Sequence, residues 1–133
     1  MEALHALRPL IFIGEGTRAG EAHYTTEAEV YENARQAVRG TAGKLVVADF
    51  GPRNIERLLT FYRIAEDEQR QLVILARDAY LLDKMCLVSP QVPPLTELPH
   101  ILIYEDRRLY RDRWEERTWE KYPERKATPR QIG

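Results

Sequence analysis

The chain has 133 residues, 44% of them hydrophobic and 31% charged, with a formal net charge of −1. That is enough chain for one domain with its own core, and the composition is that of a folded protein rather than a disordered one. The near-zero charge lacks the strongly basic footprint of a stand-alone nucleic-acid binder, one cysteine excludes an internal disulfide, and no apolar run approaches the ~20 residues that span a bilayer.

The N-terminal MEALHALRP carries an early acid and no cationic flank before a long apolar run, so it does not read as a secretory signal. Residues 10–13 (LIFI) then form the first of three short, uninterrupted apolar runs; the others are residues 45–48 (LVVA) and 72–76 (LVILA). None alternates with polar residues, which predicts strands buried on both faces, the pattern of a parallel sheet. Residues 101–104 (ILIY) supply a fourth.

Helical patterns lie between them. Thr26 and Glu29 have capping-box spacing, after which Val30, Ala34, Ala37 and Val38 make one apolar stripe that ends at Gly40. Asn54 is a good N-cap for a second helix burying Ile55, Leu58, Leu59, Tyr62 and Ala65, in which Arg57 is expected to pair locally with an acid. Asp78 is the expected cap of a third helix, using Leu81, Leu82 and Met85. Cys86, in apolar company, reads as a reduced core residue, which suits the cytoplasm. Residues 88–99 hold four of the eight prolines and read as an irregular connection.

Strand and helix alternating every ~30 residues is the βαβ signature. The expected fold class is therefore α/β: a three-layer, Rossmann-like domain over residues 1–133, with a mostly parallel four-stranded sheet flanked by helices. Residues 105–133 form a charged helical segment at the C-terminus. Within it Tyr110, Trp114 and Thr118 fall on one helical face, with Trp119 and Tyr122 adjoining. A helix covering a sheet face is the simpler reading, a basic–aromatic binding surface the alternative. Acids and bases nearly balance there, which gives no electrostatic funnel for a nucleic acid.

In open parallel sheets, ligands bind outside the carboxyl ends of the strands. The first run ends in Glu15, Thr17 and Arg18, the second in Asp49, Arg53 and Asn54, the third in Arg77 and Asp78. Acids and arginines at one edge fit a phosphate or metal site. Strand ends are also polar for no functional reason, and Asn54 and Asp78 already have work as caps. Glu15, Asp49 and Arg77 are expected near one edge. Gly14, Gly16 and Gly20 do not make the dinucleotide fingerprint, no Walker lysine follows them, and no Gly-x-Ser-x-Gly elbow exists. His5, His23 and His100 are isolated from one another in sequence, so no metal ligand set is assigned within the chain.

The stretch IFIGEGTR at residues 11–18 resembles motif A of the β-CASP nucleases, enzymes of the metallo-β-lactamase fold. The segment KLVVADFGPRNIERLLTFYRIAEDEQRQLVILARD at residues 44–78 is similar to the strand, helix and strand that follow in that family. NIERLLTFYRIA, together with Tyr110, Trp114 and ATPRQI at residues 127–132, resembles its ribonuclease J-like, exonuclease-related branch. The resemblance implies a β-CASP domain belonging to a larger nuclease of RNA processing or decay. The family's His-x-His-x-Asp-His zinc motif is absent from this sequence, so zinc is implied only for the metallo-β-lactamase-fold half. Glu15 corresponds to the motif A acid, which orients the ligands of that metal site. Thr17, Arg18, Arg53, Asn54 and Arg77 are the expected RNA contacts. RNA and the lactamase-like domain are the expected partners, no membrane is expected, and self-association stays open. This chain alone is expected to be inactive. The competing expectation is a regulatory or protein-interaction α/β domain with no catalytic role.

Overall fold

The computed structural model describes residues 25–51, 53–106 and 112–132. The first predicted strand, residues 10–13, lies outside them.

Helix α1 (Glu27–Arg39) begins where the capping box places it. The Thr26 hydroxyl accepts from the Glu29 amide at 3.2 Å, and the Glu29 carboxylate accepts from the Thr26 amide at 2.7 Å. It buries no residue; Val30, Ala34 and Val38 of the expected stripe are half-buried and Ala37 is exposed. Helix α2 (Ile55–Asp67) starts at Asn54, whose Oδ1 accepts from the Arg57 amide at 2.9 Å. Leu58, Tyr62, Ile64 and Ala65 are buried.

Strand β1 (Leu72–Leu75) passes directly into helix α3 (Ala76–Met85) with no loop between. Two expectations are corrected here. The apolar run ends its strand at Leu75, since Ala76 is already helical. Asp78 is not the N-cap but the third helical residue, and its Oδ2 accepts from the Leu75 amide at 3.3 Å. The carboxylate still satisfies a helix-end donor, from inside the first turn rather than ahead of it.

Strand β2 (Ile101–Tyr104) pairs parallel to β1, from Leu72 against Ile101 to Leu75 against Tyr104. Helix α4 (Arg113–Lys121) follows and packs on α3, then strand β3 (Lys126–Ala127) pairs parallel to β2, and helix α5 (Pro129–Ile132) closes the described chain. Among the described residues the fold is thus α/β, with a three-stranded parallel sheet in the order β1-β2-β3 flanked by helices.

The central strand carries the core. Ile101 and Ile103 are fully buried, packed with Leu58, Ile74, Leu82, Leu95, Trp119 and Tyr122. The proline-rich connection is irregular as expected, yet a single 3-10 turn (Leu95–Glu97) drops Leu95 into this core. Residues 45–48 are not in a strand, which corrects the second predicted one. Val47 is 85% exposed and Leu45 61%, and no backbone hydrogen bond ties the segment to β1. Leu45, Val46 and Ala48 instead border a small cleft of about 110 Å³ against Phe61, Ile64 and Leu72.

Candidate functional site

The register that sets Leu75 opposite Tyr104 brings the carboxyl ends of β1 and β2 side by side. Helix α3 departs from the first, and the N-terminus of α4 returns beside the second. Between them opens a cleft of about 380 Å³. Its walls are Leu75, Ala76 and Arg77 from the β1–α3 junction and Tyr104 and Asp106 from the end of β2. Asp112, Trp114, Glu115 and Trp119 close it from α4. The cleft lies at the carboxyl ends of the strands, the edge on which open parallel sheets bind ligands.

The backbone at both helix starts is already engaged. Asp78 takes the Leu75 amide, and Glu115 accepts from the Asp112 amide at 3.1 Å. Burial pushes the Asp78 carboxyl above the ordinary carboxylate range, although the Leu75 amide and the Arg77 guanidinium pull the other way. Arg77 Nε stands 3.7 Å from Asp78 Oδ1 and its side chain is largely exposed at the rim. Trp119 is buried and its indole donates to the Tyr104 carbonyl at 3.3 Å, fixing α4 against the end of β2.

A second feature adjoins the cleft. Arg77, Tyr80 and Lys84 follow one another at i, i+3 and i+7, one face of α3. The Tyr80 and Trp114 rings lie 5.5 Å apart at 53°, and Lys84 Nζ sits 5.2 Å from the Tyr80 ring centre. Trp114 Nε1 donates to Asp112 Oδ2 at 3.2 Å.

Of the residues singled out in the sequence, Arg77 lines this cleft. Asp49 and Arg53 are exposed and Asn54 serves as the α2 cap; none of the three lines it. Glu15, Thr17 and Arg18 lie outside the described residues. Arg57 does pair with an acid, but with Glu27 of α1 rather than within its own helix. Sequence reasoning missed Tyr80, although its i+3 spacing from Arg77 on a helix springing from a strand end was the available signal. Among the described residues no three of His, Cys, Asp and Glu are arranged to hold a metal ion. Asp106, Asp112 and Glu115 are the acids that line the cleft, with Arg77 among them.

No family model matches the chain, and no curated protein or solved structure matches it either. Among the described residues no helix is long and apolar enough to cross a membrane.

Proposed function

We propose that this chain is the RNA-positioning, β-CASP-like domain of a metal-dependent nuclease of the cytoplasm. The observation that supports the reading is Arg77, an exposed guanidinium at the carboxyl edge of a parallel sheet, on the rim of a cleft. Phosphate oxygens are the ligands a planar guanidinium recognises best. In this reading the sheet gains a fourth strand, and Glu15, Thr17 and Arg18 meet the scissile region from the end of the first apolar run. The zinc belongs to the metallo-β-lactamase-fold half; among the described residues no three of His, Cys, Asp and Glu are grouped to hold a metal ion.

Binding of the full chain to a fluorescent single-stranded RNA tests the proposal. Saturable binding that weakens as salt rises, and weakens further in Arg77→Gln, is the expected result. A second reading, a regulatory or protein-interaction domain, is favoured by Leu45, Val47, Leu87 and Val88, apolar side chains that are each more than half exposed. RNA binding that is absent at low salt would decide for it.

A further inference from the structure

We infer that Tyr80 and Trp114 form a platform on which the bases of an unpaired strand stack, with Arg77 and Lys84 holding the phosphates on either side. The inference rests on the RNA-positioning reading and names the form of RNA it takes: single-stranded, with its base faces open.

Two aromatic rings meet at the surface where α3 and α4 cross, 5.5 Å apart. Tyr80 is 41% exposed and Trp114 is only half-buried, so both rings offer surface to solvent. Tyr80 stands outside the central core, whereas Trp114 packs against it while keeping part of its ring exposed. The Asp112 carboxylate, accepting from the Trp114 indole, fixes the orientation of that ring before any ligand arrives.

Charge identifies the occupant. Arg77 and Lys84 lie one turn to either side of Tyr80 on the same helix face, with Lys84 drawn over the ring. Cations flanking two aromatics suit a strand that offers π-faces and phosphates in alternation, the combination by which single-stranded nucleic acids are held without regard to sequence. A duplex keeps its base faces stacked on one another and has none to offer. Arg77, Tyr80 and Lys84 lie along one face of α3, so the strand tracks along that helix, with Trp114 meeting Tyr80 from α4.

Four probes separate the terms: a single-stranded RNA, the same sequence as a duplex, an abasic strand of equal length, and salt. The full chain should bind the base-bearing strand more tightly than the other two, with quenching of tryptophan fluorescence. Tyr80→Leu and Trp114→Leu, checked for folding by circular dichroism, should each lose about 10- to 100-fold on the base-bearing strand. Neither should change binding to the abasic strand. Arg77→Gln should weaken both strands. If wild type binds base-bearing and abasic strands alike and folded Tyr80→Leu is indistinguishable from it, the platform is overturned while the RNA reading stands. If no nucleic acid binds at low salt, the RNA reading fails and the platform with it.

Discussion

Arg57 reaches from α2 to Glu27 on α1, thirty residues earlier in the chain, with Nη2 at 2.7 Å from Oε1 and Nε at 3.0 Å from Oε2. The fork is one of several polar ties between the two helices. Arg35 and Arg39 both donate to Glu68 at 2.7 Å, and the Tyr31 hydroxyl donates to Asp67 beneath Arg63. Helix α1 buries no residue, so its attachment rests on these polar ties together with the half-buried Val30, Ala34 and Val38. A double-mutant cycle with Glu27→Ala and Arg57→Ala should return a coupling of about 0.5–1 kcal/mol, since both side chains are partly exposed. Coupling below the error of chemical denaturation would show that α1 is held by its half-buried apolar residues.

Acid should loosen the same helix first. The hydrogen bond from Arg57 holds the Glu27 carboxyl below its ordinary 4.5, and that from Arg35 does the same for Glu68. Their folded-state values are depressed, so their stabilisation is present above about 4.5 and is lost as pH falls through the lowered values. Asp78 has the opposite sign: its raised value favours the fold at low pH and loses that share as pH rises through it. Amide exchange followed from about pH 7 to about pH 3 should show α1 losing protection before α3. Simultaneous loss in both helices would refute an electrostatic latch.

The proline-rich connection should prove more sensitive than its composition suggests. Leu95 is fully buried among core residues, whereas Leu87, in the turn after α3, is 76% exposed. Leu95→Ala removes packed methyl groups and should destabilise the fold by about 2–5 kcal/mol. Leu87→Ala should stay within about 0.5 kcal/mol of wild type. Equal midpoints in urea for the two variants would contradict the burial.

How far these features were legible depends on how local their causes are. Thr26, Glu29 and Asn54 act on amides within three residues, so their caps could be read from spacing alone. Residues 45–48 have the apolar composition of a strand, but a strand exists only with a partner edge. Here the Arg70 guanidinium binds the Thr41 and Lys44 carbonyls just before the run, and the segment makes no ladder with any described residue. Strand β3 was invisible for the converse reason: Lys126 and Ala127 are strand residues only because Ile103 and Tyr104 lie opposite. Arg77 was found because it closes an apolar run, while Tyr80 required knowing that α3 begins at Ala76.

Salt dependence should separate the two arginines. Each phosphate contact to a single strand contributes about 0.7 to the slope of log affinity against log salt. Arg77 stands on the cleft rim and Arg53 does not line the cleft. Arg77→Gln should therefore flatten the slope by about that amount, with Arg53→Gln serving as an exposed charge of equal size. Identical slopes for both variants and wild type would remove Arg77 from the phosphate path. Flattening in Arg53→Gln alone would move the path to the start of α2.

The chain by itself should be catalytically silent. A carboxylate at a strand end cannot generate hydroxide at neutral pH without a metal to lower the pKa of water. The described residues supply no ligand set for one. The purified chain, given zinc or manganese, should retain no stoichiometric metal on desalting and leave single-stranded RNA intact. Joined to a metallo-β-lactamase-fold half, it should support cleavage. Glu15→Ala should then lower activity by more than it lowers the unfolding midpoint, because in the resemblance that acid orients ligands rather than filling a core. Arg77→Gln should raise KM more than it lowers kcat in the same assembly, since in the proposed function it binds RNA away from the reacting bond. Metal-dependent turnover by the chain alone, abolished by Glu15→Ala, would place a complete active site within these 133 residues and refute the division of labour between two domains.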